Sequence, residues 1–124
     1  MTETPIQLWH YCCDHSARGI RATRIVRPIW QPLLHLELSW WTDLTPPDRL
    51  GLGLTSQILS CDRIAHRFHP TTASRGLVEP WLTWLQRQPA TLRQLGRELH
   101  LPGTLPRHWH VAERPVHVQA GTTS

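Results

Sequence analysis

The chain has 124 residues, of which 40% are hydrophobic and 18% are charged, a balance that excludes a coiled coil or a charge-rich disordered segment. No window reaches the roughly 18–20 uncharged apolar residues of a membrane span, and Glu3 and Pro5 stand where a signal peptide would be basic and then apolar. The net charge of +4 is carried by arginines spread from Arg18 to Arg114, so it permits a polyanionic partner without indicating one. We expect a soluble, cytoplasmic single domain over residues 1–124 with a flexible tail at 119–124.

The first third of the chain predicts strands around one helix. The run Ile6 to Tyr11 is rich in strand formers, and Asp14 can cap a helix from about Ser16. Residues 28–32, with two prolines around a tryptophan, are interpreted as an extended or turning connection. Alternation over Leu36 to Trp41 predicts the clearest strand of the sequence.

The remainder predicts a mixture of helices and strands. A stop at 45–48 precedes a short helix over 48–53, and alternation over 63–69 predicts a further strand before a polar loop at 71–76. Helical spacing relates Trp81, Trp84 and Leu85, and Thr91 with Gln94 resembles a capping pair for a second helix. Residues 106–118 predict one or two strands around a Glu-Arg-Pro turn. The sequence therefore predicts an α+β fold with a mainly antiparallel sheet and a few short helices.

Metal-ligand residue types are abundant. They form three sets: His10, Cys12, Cys13 and His15; Cys61, His66 and His69; and His108 with His110. Zinc knuckles repeat a ligand pair downstream, and the second set does not form such a pair. The third set lies two residues apart, so on a strand both rings face one side, which suits a metal or a polar sheet face. We expect no metal.

Covalent catalysis and nucleotide loops have weaker support. A cysteine of the first set could act as a nucleophile beside a histidine, but no nucleophile elbow or glycine-rich oxyanion turn accompanies it. The Gly51-Leu52-Gly53 segment lacks the third glycine of a dinucleotide-binding turn, and no P-loop is present. The adjacent Trp40 and Trp41 must point to opposite faces of a strand, so one of them requires a second layer or a ligand.

Two stretches resemble the small ADP-ribosyltransferase-like proteins. Leu8-Trp9-His10-Tyr11-Cys12, then a helix and Ile25-Val26-Arg27-Pro28, resembles their first strand, often L-Y-H-Y-T, and its following turn. Leu38-Ser39-Trp40-Trp41-Thr42-Asp43 resembles their next motif strand, commonly V-W-[FL]-[ST]-[DT]. Segments 50–56 and 61–63 also resemble small proteins of high-GC bacteria and their phages.

The resemblance implies an ADP-ribosyltransferase-like fold that binds NAD, as substrate, or another ADP-ribose-containing molecule between two sheet halves, and then transfers ADP-ribose to a protein, a nucleic acid or water. It implies that His10 holds a ribose hydroxyl, that Arg21 and Arg27 meet the pyrophosphate, and that the nicotinamide site is lined by Tyr11, Trp41, Thr42 and Asp43. Glu113 is the candidate polarising carboxylate, with Glu79 and Glu37 as competitors; its alternative is a solvated turn residue paired with Arg114.

Two other functions remain open on the sequence. Cys12 replaces the usual threonine, and no tyrosine follows the second motif to stack on nicotinamide. The missing tyrosine favours a catalytically degenerate binding or inhibitory module, phage- or host-derived, whose arginines and tryptophans engage a protein or a nucleic acid. The third hypothesis is a small nucleic-acid binder that uses arginine and aromatic contacts.

Overall fold

The computed structural model describes residues 7–12, 14–44 and 66–120, and within them it is an α+β fold, as predicted. The strands are β1 His10–Cys12, β2 Ile25–Val26, β3 Ile29–Gln31, β4 Leu36–Thr42, β5 His66–Pro70, β6 Glu79–Pro80, β7 Trp109–Ala112 and β8 Val116–Ala120. The helices are α1 Asp14–Thr23, α2 Trp81–Gln86 and α3 Ala90–Arg97, with single 3-10 turns at Arg75–Leu77 and Pro106–His108.

The strands form two antiparallel sheets of four strands each. The first sheet has the order β1-β5-β8-β2, and the second has the order β3-β4-β7-β6. An isolated antiparallel bridge between Trp9 and Thr42 joins them, with two backbone N–H to C=O bonds of 2.8 Å. The bridge sets β1 beside the end of β4.

Two hydrophobic cores lie on opposite faces of β4, because strand side chains alternate in direction. Trp41 belongs to the first core, which includes α1 and the inner side chains of the first sheet. Leu38 belongs to the second core, formed with α2 and β7, and Trp40 packs against it. Both Trp40 and Trp41 therefore pack against protein, so the second layer that one of them requires is the second core and not a ligand.

Several element boundaries differ from the sequence-based expectation. The first strand is His10–Cys12 rather than 6–11, because its pairing begins opposite Phe68. Helix α1 begins at Asp14, two residues before the expected start, so Asp14 is inside the helix. The expected 63–69 strand is described as His66–Pro70, while the expected 48–53 helix lies outside the described residues.

Three further expectations were wrong. Residues 28–32 are not only a connection: Ile29–Gln31 forms β3, because Trp30 pairs with Glu37 of β4. Helix α3 begins at Ala90 after Pro89 with no side-chain capping bond, so Thr91 is inside the helix rather than its cap. The strand β8 extends through residues 119 and 120 of the expected flexible tail, because Gln119 pairs with His69. No helix in the described part of the chain is long and apolar enough to cross a membrane.

Candidate functional site

The strand register gathers polar side chains where the two sheets meet. Trp41 lies opposite His110 across the β4–β7 pair, and its ring centroid is 5.3 Å from that of His10 on β1. Asp43 follows the end of β4, and His108 is the last residue of the 3-10 turn before β7. Asp43 Oδ1 lies 2.6 Å from His108 and Asp43 Oδ2 lies 3.7 Å from His110, so these side chains lie together. We call these five residues the histidine face.

His10 has a defined ring orientation. Its Nδ1 atom lies 2.8 Å from the backbone oxygen of Trp40, which can only accept, so Nδ1 carries the proton and donates. Burial lowers the pKa of His10, and the bond to Trp40 opposes this shift only in part. The ring is thus neutral at pH 7, and Nε2 is left as a hydrogen-bond acceptor.

Asp43 connects the other two histidines. His108 Nδ1 lies 2.6 Å from Asp43 Oδ1, whereas His110 Nε2 lies 3.7 Å from Asp43 Oδ2, too far for a hydrogen bond. His110 Nε2 is buried and has no partner among the described residues. Burial is the largest cause that lowers the pKa of His110, with Arg75 and His108 acting in the same direction and Asp43 opposing.

A cavity of about 280 Å³ is lined by residues from the end of α1 and from the first sheet. Its lining is Ile20, Arg21, Arg24, Phe68 and Val118. Phe68 is the direct register partner of His10 on β5, and Arg21 donates from Nη2 to His66 Nδ1 at 2.8 Å. The cavity therefore brings two guanidinium groups to the strand that neighbours His10.

The sequence-predicted lining residues are largely inside the protein. Trp41 is 3% exposed, and its Nε1 donates to Ser39 Oγ at 2.8 Å. Thr42 is buried, and its Oγ1 accepts from the amide of Leu44. Tyr11 donates its hydroxyl to the Leu44 carbonyl at 2.9 Å. Of the expected nicotinamide lining, Asp43 alone belongs to the charged part of the histidine face.

The predicted carboxylate does not join His10. Glu113 Oε1 accepts a 2.6 Å hydrogen bond from Trp84 Nε1, and Trp84 belongs to the second core, across β4 from Trp41. Of the competitors, Glu79 forms an ion pair with Arg87 at 2.5 Å, and Glu37 is exposed on β4. Arg27 is exposed between β2 and β3 and is not among the residues that line the cavity.

The candidate metal ligands and nucleophilic cysteines are not arranged as a site in the described residues. Within residues 7–12, 14–44 and 66–120 no three His, Cys, Asp or Glu residues are arranged to hold a metal ion. Cys12 is buried in the first core, and Cys13 and Cys61 lie outside the described residues.

Sequence reasoning missed the pairing of Asp43 with His108. The expectation of a strand from residue 106 was wrong for His108, because Pro106–His108 forms a 3-10 turn and β7 begins at Trp109. The missing information was the β4–β7 register, which sets Thr42 opposite Trp109 and so brings the two ends together.

Comparison with known proteins adds no relative. No protein-family model matches the chain, and no curated protein and no solved structure matches it. The ADP-ribosyltransferase resemblance therefore stays a prediction that rests on two short motifs.

Proposed function

We propose that this protein binds NAD or another ADP-ribose-containing molecule at the junction of its two sheets, as an ADP-ribosyltransferase-like domain. The observation that carries the proposal is the neutral His10 ring, whose Nδ1–H is committed to the Trp40 carbonyl. Such a ring presents Nε2 as a fixed acceptor for a ribose hydroxyl, with no alternative tautomer available. Of the five histidine-face residues, His10, Trp41 and Asp43 are also named by the motif resemblance, and His10 is the one it assigns to a ribose hydroxyl.

The charges near His10 support a diphosphate ligand. Arg21 and Arg24 line the cavity whose Phe68 pairs with His10, and guanidinium groups form charge-assisted bonds with phosphate oxygens. In this proposal Trp41 is a support for the His10 ring, since it is buried, rather than a stacking surface for nicotinamide. Arg27 has no such neighbour and is not required.

Calorimetric titration with NAD tests the proposal. His10→Asn keeps an amide donor near the Nδ1 position but removes the Nε2 acceptor, so it separates ligand binding from the bond to Trp40. We expect saturable NAD binding by the parent and about a tenfold weaker Kd in His10→Asn, which corresponds to one hydrogen bond. His117→Asn, at an exposed histidine of β8, is the control and should bind as the parent does. Absence of binding in the parent, or equal Kd values in all three proteins, would refute the proposal.

A second candidate is a non-catalytic module that binds single-stranded nucleic acid. Ile29 and Trp30 on the edge strand β3 are 67% and 56% exposed, and the exposed Arg27 lies beside them. An exposed indole next to guanidinium groups suits stacking on bases and contacts to phosphates. Here we expect a single-stranded oligonucleotide to bind with an affinity that falls as salt rises, and to bind weakly after Trp30→Ala. A salt-independent affinity that Trp30→Ala does not change would exclude this candidate.

A further inference from the structure

The histidine face contains an imidazole–carboxylate pair that the His10 hypothesis does not use. His108 is held by Asp43 at 2.6 Å, and the two side chains are 28% and 19% exposed. A carboxylate can only accept from Nδ1–H, so this bond selects the tautomer in which Nε2 has no hydrogen and carries the lone pair that can take a proton. Arg107 Nε approaches His108 Nε2 at 3.3 Å as a donor, which requires the same tautomer.

From this geometry we infer that His108, oriented by Asp43, is the general base of the site and acts on a hydroxyl nucleophile, water in the simplest case. The inference rests on the proposed function, because it needs NAD bound with its nicotinamide ribose near His10. It replaces the carboxylate expected at Glu113, which is bonded to Trp84 in the second core.

The step conserves atoms and charge. The oxygen of water attacks C1′ of the nicotinamide ribose while the C1′–N bond breaks and its electron pair stays on the departing nicotinamide. The proton of the nucleophile passes to His108 Nε2, and the imidazolium that forms is stabilised by the Asp43 carboxylate. The products are ADP-ribose, nicotinamide and a proton that His108 later releases to solvent.

The surroundings favour this role. His110 remains neutral because burial lowers its pKa. Its ring therefore does not neutralise the negative charge of Asp43, and that charge can stabilise an imidazolium on His108. The bond from Arg107 is long and exposed, and its exchange for a water or an acceptor hydroxyl has a small free-energy cost. Asp43 lies two residues from Trp41, which is roughly 7 Å along an extended chain. The Asp43–His108 pair is thus about that far along the chain from Trp41, whose ring is next to that of His10.

The test measures NAD binding and nicotinamide release separately. His108→Asn keeps a donor toward Asp43 but removes the base, so we expect nicotinamide release to fall by about 100-fold or more while the Kd for NAD stays within about twofold. His117→Asn is the control for the loss of an exposed histidine and should release nicotinamide as the parent does. Unchanged release by His108→Asn, or a parent that binds NAD and releases none, overturns the inference and leaves the proposed function standing.

A second readout tests positioning by Asp43 without any ligand. Nitrogen chemical shifts of the His108 ring should report the Nδ1–H tautomer in the parent and a larger Nε2–H population in Asp43→Asn. Asp43→Asn should also slow nicotinamide release, while a purely structural role of Asp43 would leave the tautomer unaltered. A parent that shows the Nε2–H tautomer contradicts the inference. Failure of the parent to bind NAD refutes the proposed function, and the catalytic step with it.

Discussion

At the scale of single residues, three histidines are held below their ordinary pKa. Burial is the largest cause at His10, His100 and His110. The unfolded chain takes up protons on these rings as the pH falls through 6.5, whereas the folded chain does not, so the unfolded state gains relative stability. Their contribution to folding is therefore fully present above pH 6.5 and is lost as the pH falls below it.

This sign gives a prediction for His10. We expect the free energy of unfolding of the parent, measured with urea, to fall between about pH 7.5 and about pH 5, limits that lie on either side of the ordinary histidine pKa. His10→Asn should flatten that dependence by up to about 1.4 kcal/mol per pH unit, the limit for one proton. His117→Asn should keep the slope of the parent. An unaltered slope in His10→Asn would show that the ring is not held neutral.

The end of α1 gives a second residue-scale prediction. Arg24 has φ of +57°, and its amide donates to the Ile20 carbonyl at 2.6 Å, the left-handed termination that glycine adopts most readily. Arg24→Gly should raise the free energy of unfolding by about 1 kcal/mol. Arg18→Gly, in the interior of α1, should instead lower it by about 1 kcal/mol. Denaturant midpoints of the two variants check this opposition, and a loss in both would contradict it.

The left-handed arginine also bears on binding. Arg24 lines the cavity whose Phe68 pairs with His10, so the glycine that relieves the backbone of residue 24 removes a guanidinium from the proposed site. In this account Arg24→Gly is more stable than the parent and binds NAD more weakly. Strain retained at a charged position is typical of functional sites.

At the scale of elements, α3 packs tightly on α2 at Gly96. A Cβ atom at Gly96 of α3 would lie 2.5 Å from Leu85 Cδ1 and 3.1 Å from Trp81. We expect Gly96→Ala to destabilise the protein by about 1–3 kcal/mol, because crowding outweighs the gain in helix propensity. At Gly19 of α1 a Cβ would meet nothing within 4 Å, so Gly19→Ala should stabilise it by about 0.5–1 kcal/mol. Thermal midpoints that move in the same direction for both variants would disagree with this packing.

The elements best predicted from the sequence are those whose own residues show the hydrophobic periodicity of a strand or a helix. The strand at Leu36–Thr42 follows from alternation, and α2 follows from the spacing of its two tryptophans. The strands β2 and β3 have two and three residues and flank prolines, so only their partners β8 and β4 make them strands. Such short edges have no periodicity of their own and could not be predicted locally.

The site was predictable in part for the same reason. The motif strands locate His10 and Asp43 in the sequence, and the structure sets both on the histidine face. Glu113 was attractive because it precedes the last strand, but the direction of a turn side chain depends on packing, here on the Trp84 indole. The Asp43–His108 pair spans 65 residues, and only long-range strand pairing brings it together.

At the scale of the whole molecule, the two cores separate five of the seven tryptophans into groups with different expected responses: Trp41 in the first core, and Trp40, Trp81, Trp84 and Trp109 in or against the second. Trp41 contacts His10 in the first core, whereas Trp84 stacks on Trp81 in the second core at 5.3 Å between ring centroids. A ligand site at the sheet junction therefore predicts a response confined to one face of β4.

The most direct test is an NMR titration of the parent protein with NAD that follows the indole N–H resonances, each assigned by a Trp→Phe variant. A ligand site at the histidine face predicts that the Trp41 resonance, whose N–H is bonded to Ser39, shifts saturably, while that of Trp84, bonded to Glu113, does not move. Movement of Trp84 with Trp41 unchanged, or no movement of either at saturating NAD, would contradict a site at the histidine face.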